Sequence, residues 1–301
     1  MSSNGNPGNG APAADNGAAE YGSAETRPTT GSVRRPKTGG LAKGEAAPGV
    51  AKTDPIMIAD NVTRRFGGLT AVDVDHLEIP RGAITALIGP NGAGKTTLFN
   101  TITGAYRADA GEVLLKGVDV TQWQSYRIVR EGIARTFQNI RLFGSMTVWE
   151  HLLVAQPHSE SAWRRLLPIS WANPAAQERA EEVMEFFGLT ELRDRPAKSL
   201  PYGIQSKVEM ARAVTARPKL LLLDEPVAGM NHDEAEEIRA LMIRLRDTGL
   251  TILLIEHDMN FVMRLFDYLY VLDFGVLIAE GRAEDVRANP VVLDAYLGKD
   301  D

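Results

Sequence analysis

Gly89-Pro90-Asn91-Gly92-Ala93-Gly94-Lys95-Thr96 follows the apolar run 83–88 and leads into Thr97, Leu98 and Phe99, so a G-x-x-x-x-G-K-[ST] octapeptide sits between a strand-like and a helix-like segment. A phosphate site needs that setting. Glycines let successive backbone N–H groups turn inward as an anion nest with no side chain in the way, and the helix N-terminus adds a partial positive charge. Lys95 brings a full charge to the β and γ phosphates of a nucleotide, and Thr96 brings a hydroxyl to Mg²⁺. Four fixed positions match by chance in about one chain of this length in a hundred, and the flanking strand and helix make the match rarer still. Gly89, Asn91, Gly92, Gly94, Lys95, Thr96 and Thr97 are therefore the candidate nucleotide-binding residues.

A second half of the site is expected 129 positions beyond Lys95, where Leu220-Leu221-Leu222-Leu223 runs into Asp224-Glu225 and is closed by Pro226. Two carboxylates at the end of a buried strand are costly unless something pairs with them. Delivery of Asp224 to a metal's water shell and of Glu225 to an attacking water accounts for both. Hydrolysis of a phosphoanhydride is mainly positioning plus electrostatics, with Glu225 as the carboxylate that orients and polarises water.

Outward from this pair the chain reads as alternating strand and helix. Runs 55–58, 70–79, 83–88 and 112–120 are strand-like, as are the later runs 219–223, 251–255 and 268–272. Between them Ile238, Leu241, Met242 and Leu245 form the i, i+3, i+4, i+7 stripe of an amphipathic helix, with Glu236, Arg239 and Arg246 left for water. This alternation predicts an α/β core with a parallel sheet. From about 140 to 216 no strand is apparent, and stripes such as Ala180, Val183, Met184 and Phe187, stopped by Gly188, predict a helical insertion. Within it, 163–173 reads as an irregular loop anchored by two Trp.

The first 54 of the 301 residues differ in kind: 25 are Gly, Ala or Pro, and only five are large and apolar. Such a segment cannot offset its ordering entropy by burial, so residues 1–54 are expected to be a disordered tail, with the basic cluster Arg34, Arg35 and Lys37 solvated. The tail holds 6 Lys/Arg and 5 Asp/Glu, which leaves 27 and 34 for the remainder. An acidic body argues against a nucleic-acid partner. With no cysteine, disulfide scaffolds and thiolate chemistry are excluded. No apolar run approaches the roughly 18 to 20 residues needed to span a bilayer, and the N-terminus lacks the pattern of a secretory signal. A cytoplasmic chain, held at the inner face of the membrane by a partner, is the expectation.

Four further features narrow the reading. These are Arg135-Thr136-Phe137-Gln138 with Arg141-Leu142-Phe143, Leu200-Pro201-Tyr202-Gly203, Pro226-Val227-Ala228-Gly229-Met230-Asn231, and Ile255-Glu256-His257-Asp258-Met259. Together with the ending Ala288-Asn289-Pro290 through Gly298, they resemble ATP-binding cassette (ABC) subunits over about 55–298, most closely the LivG-type ATP-binding subunit of branched-chain amino acid importers. The resemblance implies a P-loop NTPase core with an antiparallel β subdomain, an inserted helical subdomain at about 140–216 and a C-terminal ending at about 274–298. It implies that Phe66 stacks on adenine, that Gln138 senses the γ phosphate and Mg²⁺, and that His257 contacts the γ phosphate. With Thr96 and Asp224, Gln138 completes the implied metal set.

By the same resemblance ATP is sandwiched between the phosphate loop of one chain and the signature segment of another. The expected partners are membrane permease subunits, a second ABC ATPase (a heterodimer, or alternatively a homodimer) and, indirectly, an extracytoplasmic solute-binding protein. The signature here departs from Leu-Ser-Gly-Gly-Gln: Leu200 and Gly203 match, but Pro201 replaces the serine. Amides at Gly203 and Ile204 can still face a phosphate, with Pro201 outside the helix, while one hydrogen bond of about 1.5 to 3 kcal/mol is lost. The same engine could serve a urea or amide importer or a lipopolysaccharide-type exporter. A soluble ABC protein acting on nucleic acid would need two cassettes or a long coiled coil, and neither is present.

Overall fold

The computed structural model describes residues 48–156, 174–257 and 259–297. The loop expected at 163–173, Asp258, Gly298 and the tail as far as residue 47 lie outside them.

Two sheets organise the chain. In the first, β1 (Pro55–Phe66) is flanked by β2 (Leu69–Pro80) and β4 (Ala110–Leu115), with β5 (Val118–Asp119) at the edge, all antiparallel. The second has six strands in the order β10-β9-β3-β8-β7-β6, formed by β3 (Ile84–Ile88), β6 (Ile133–Arg135), β7 (Leu220–Asp224), β8 (Thr251–Ile255), β9 (Tyr268–Asp273) and β10 (Val276–Gly281). Its neighbours are parallel except β10 against β9.

The continuous apolar runs have a direct cause. Along β3, Ile84, Ala86 and Ile88 face one core while Leu87 faces the other, and β7 and β8 alternate in the same way. One core packs the second sheet against the first sheet and α1 (Lys95–Ile102). The other packs it against helices, including α3 (Val148–Val154), α4 (Pro174–Phe187), α5 (Tyr202–Thr215) and α6 (His232–Asp247). A parallel sheet covered on both faces favours near-continuous apolar runs, broken here only by Thr85, Asp224 and Thr251 in β3, β7 and β8. The shorter helices are α2 (Ser125–Arg130), α7 (Met259–Val262), α8 (Ala283–Arg287) and α9 (Pro290–Leu297).

Both predicted helical stripes are buried, and Gly188 ends α4 with φ of 67°. Among the described residues of 140–216 there is no strand beyond an isolated bridge between Thr147 and Pro196. Three expectations change. The run 112–120 is not one strand but a hairpin, turned at Lys116 and Gly117, both at positive φ (54° and 78°). The first strand extends past residue 58 to Phe66, its polar second half being held by pairing to β2. The chain also packs before residue 55: Lys52 is buried, its N–H donates to Glu78 Oε2 at 2.6 Å, and its ammonium lies 4.0 Å from the Tyr268 ring centre.

Helix α6 starts on a capping box, Asn231 Oδ1 accepting from the Glu234 N–H at 3.0 Å and Glu234 Oε2 accepting from the Asn231 N–H at 3.1 Å. Asparagine and aspartate cap comparably, and alanine does not. Urea unfolding should show Asn231→Ala less stable by about 1 kcal/mol and Asn231→Asp within about 0.5 kcal/mol of the parent.

Candidate nucleotide site

The candidate residues gather where the parallel strands end. After β3 the chain enters the loop at Gly89, whose φ is 152° and where a Cβ would lie 2.0 Å from the Leu272 carbonyl oxygen, so no side chain fits. Gly94 is equally constrained, at φ of 100° and 2.4 Å from the Ala71 oxygen. It is the N-cap of α1, no side chain caps the first-turn amides and no acid sits in that turn. An anion is the complement such a helix end lacks. The Lys95 ammonium arches over the loop and donates to the carbonyls of Gly89 at 2.7 Å and Pro90 at 2.9 Å. Asn91, Gly92 and Thr96 are exposed, and Thr97 is half-buried.

The loop is braced from the C-terminal side. The Gly275 N–H, in the turn between β9 and β10, donates to the Ala93 oxygen at 2.9 Å. Tyr296 of α9 is half-buried near the Gly89 backbone; burial pushes its phenol up to about 12, against the pull of the Gly89 amide.

At the end of β7, Asp224 is only 6% exposed. Burial pushes its carboxyl above the usual range, while Arg135 and the Lys95 charge act in the opposite direction. Arg135 Nη2 donates to Asp224 Oδ2 at 3.0 Å and Nη1 to Asn100 Oδ1 at 2.6 Å. The next residue, Glu225, takes the left-handed φ of 48°, unusual for a side-chain-bearing residue, and its N–H donates to the Ile255 oxygen at 3.0 Å. This bend sends its carboxylate to Gln138, whose Nε2 donates to Glu225 Oε2 at 2.9 Å, with His257 Nδ1 3.6 Å from the same oxygen. Three residues separated by up to 119 positions thus share one carboxylate.

Two other predicted residues stand outside this cluster. Phe66, 42% exposed, meets Tyr106 edge-on at 5.4 Å between ring centres and carries the Arg64 guanidinium on its face. Gly203 is the second residue of α5, packed beside Glu234, whose Oε1 would stand 2.8 Å from an added Cβ. Sequence reasoning gave no role to Arg135, Tyr106 or Glu256. Glu256 is fully buried and accepts from the N–H groups of Val227 at 3.3 Å and His257 at 3.2 Å, tying the two strand ends together. The signal available for Arg135 was its place at the start of the segment that ends in Gln138.

No group of three or more acidic, His or Cys side chains among the described residues could hold a metal unaided. Mg²⁺ characteristically takes one or two carboxylates and completes its shell with phosphate oxygens and water. The Thr96 hydroxyl, Asp224 and the Gln138 amide fit such a shared shell.

Beyond Gln138, the segment of Arg141 and Phe143 is fixed from beneath. Arg212 Nη1 donates to the Arg141 oxygen at 2.7 Å, and the Phe143 N–H donates to Nε2 of the buried His151 at 2.9 Å. His151 Nδ1 faces the Thr147 oxygen at 2.7 Å, so that nitrogen carries the proton of a neutral ring. The Phe143 ring itself is 64% exposed.

Residues 72–228 match the ABC transporter family, and residues 276–301 match the branched-chain amino acid ATP-binding cassette transporter C-terminal family. The chain is 42% identical over 253 residues to the high-affinity branched-chain amino acid transport ATP-binding protein BraF of Pseudomonas aeruginosa, covering 81% of this chain and 98% of that one. It is likewise 42% identical over 254 residues to the LivG protein of Escherichia coli K12, covering 82% and 99%. The fold is similar to the crystal structure of an ATP-binding cassette in its ADP conformation, with a TM-score of 0.74, 35% identity and coverage of 82% and 100%. A nucleotide-free cassette gives a TM-score of 0.72, also at 35% identity, with coverage of 81% and 100%.

Burial, reinforced by the Arg212 charge, holds the His151 imidazole below its ordinary 6.5 against the pull of the Thr147 carbonyl. Below pH 6.5 the unfolded chain therefore takes up this proton before the folded one, and stability falls as pH falls through that interval. Urea titrations across pH 5 to 7 should show this slope in the parent and a flatter dependence in His151→Leu.

Proposed function

We propose, from the premise that this chain belongs to the ABC transporter family of ATP-binding subunits, that it binds and hydrolyses ATP to power an importer of branched-chain amino acids. The observation that carries the reading is the convergence of Gln138, Glu225 and His257 on one carboxylate at the strand ends where the phosphate loop also lies. The match of residues 276–301 to a branched-chain amino acid cassette family supports the choice of solute.

In this reading the amides of Gly92, Gly94, Lys95, Thr96 and Thr97 and the Lys95 ammonium hold the phosphates, and Phe66, backed by Tyr106, stacks on adenine. Gly89 and Asn91 shape the loop. Thr96, Asp224 and Gln138 hold Mg²⁺, which when bound neutralises phosphate charge. Glu225 orients and polarises the attacking water, Gln138 fixes the rotamer of that carboxylate, and His257 faces the γ phosphate from the end of β8. Positioning of this kind is what phosphoryl transfer asks of a protein.

Gly203 belongs to the site of a second ATPase chain, across a head-to-tail pair. Pro201 is the N-cap of α5 and supplies no side-chain hydrogen bond there, so in a pair with a related but different ATPase the two ATP sites are unequal. No helix among the described residues is long and apolar enough to cross a membrane; permease subunits supply the membrane contact, through the surface around Arg141 to Phe143 on the cytoplasmic side.

In the reconstituted transporter, Glu225→Gln should lower ATP turnover about 10²- to 10⁴-fold while ATP affinity changes little. Turnover near the parent rate would refute the catalytic assignment. The equivalent substitution in the partner ATPase should have a clearly different effect, and equal effects would exclude unequal sites.

A further inference from the structure

At the opposite end of the parallel sheet from the nucleotide site, where the chain turns into β3, β7 and β8, lies a cavity of about 330 Å³. This is within the size range of small-ligand sites, about 300 to 1,000 Å³. Four cations line it: Arg81, Arg179, Arg217 and Lys219. They come from separate places: the turn before β3, helix α4 of the helical insertion, and the two sides of Pro218 before β7. On an acidic chain of net charge −6, this is a local concentration of positive charge. The floor is apolar, made by Val214, Leu245 and Leu250.

The cations are only partly spent on the protein. Arg81 pairs with Asp54 at 2.9 Å, and Arg179 pairs with Glu182 at 3.2 Å and donates to the Val214 oxygen at 3.1 Å. The Arg179 Nε is nevertheless buried without a hydrogen-bond partner. Lys219 is exposed and forms no ion pair among the described residues, with Glu131 felt only at longer range. Arg217 is exposed, and no side-chain partner for it exists among the described residues. Its backbone is more telling: with φ of 54° it ends α5 in the left-handed conformation that glycine or asparagine usually takes.

We infer that this cavity binds a small organic carboxylate with an aliphatic body. The guanidinium and ammonium groups at the rim match a carboxylate, and Val214, Leu245 and Leu250 match a branched or straight alkyl chain. A bare inorganic anion would leave the floor unused. Two sources share the chemistry, an aliphatic oxo acid and a zwitterionic aliphatic amino acid.

Calorimetric titration of the full chain, with its nucleotide site saturated by ADP, with 4-methyl-2-oxopentanoate, leucine and inorganic phosphate separates them. Saturable binding of 4-methyl-2-oxopentanoate, at least about tenfold tighter than phosphate, is expected, as is weakening of at least about tenfold in Arg217→Gly/Lys219→Ser. Glycine suits the left-handed position, so that variant should fold, and its ATP affinity should equal the parent's. Leucine binding as tightly as the oxo acid identifies an amino acid as the source; tighter oxo acid binding identifies a simple carboxylate. Phosphate binding as tight as either, unchanged affinity in the variant, or no saturable binding of either aliphatic probe would overturn the proposal.

Discussion

The structure depends on a sheet that is dry on both faces. Every residue of β3, β7 and β8 is buried, and alternate side chains along each strand enter opposite cores. A polar group along such strands must find a partner inside the core, as Thr251 does by accepting from the Gly82 N–H at 2.8 Å, or go unsatisfied. Polar chemistry is therefore pushed to the first residues beyond them: Gly89 after β3, the Asp224-Glu225 step at the end of β7, and Glu256-His257 after β8. Parallel pairing then brings these ends side by side, since Asp224 is in register with Ile255 and Leu87 with the same residue from the other side. The crevice beyond the carboxyl ends of such strands is where α/β sheets hold ligands.

This placement sets an electrostatic problem that the site solves locally. Asp224 is nearly as buried as the apolar strand that precedes it, and an unpaired carboxylate there would be expensive. Arg135 answers it from the neighbouring β6, and is itself held by Asn100 of α1. The pairing links the phosphate-loop helix, the short edge strand and the buried Asp224 carboxylate in one chain of contacts. On a chain of net charge −6, the proposed polyanion site therefore draws on local positive charge, from Lys95 and the helix end, and net charge has no part in it.

Features that depend on one segment alone could be read from sequence; those that depend on pairing could not. The apolar runs of β3, β7 and β8 declare double burial by composition. The stripes of α4 and α6 declare a single buried face. By contrast β6 has three residues and exists because β7 offers an edge. β10 is largely half-buried and lacks a clear alternation. The second half of β1 contains Thr63, Arg64 and Arg65, whose strand conformation comes from pairing to β2. The site divides along the same line. Spacing nominated Lys95, Asp224 and Glu225, and resemblance supplied Gln138 and His257. Arg135 and Glu256 escaped because each works through contacts with remote segments: Arg135 reaches Asp224, 89 positions away, and Glu256 reaches Val227, 29 positions away.

In the proposed function a single chain does not complete the site, because Gly203 serves the nucleotide of a second chain. The helix that carries Gly203 begins at Tyr202 with Pro201 as a cap that lacks a hydroxyl, and there is no acid in the first turn. The amides of that turn thus lack the side-chain acceptor that a Ser, Thr, Asp or Asn cap gives. The nearest anion is Glu234, whose carboxylate is already shared with the cap of α6. A phosphate brought to Gly203 would meet helix amides that favour it and a carboxylate that repels it, and would find no hydroxyl to help. The balance at this surface is therefore weaker than at a signature with serine. A partner chain that retains the serine would give the Lys95 site a firmer closure than this chain can return.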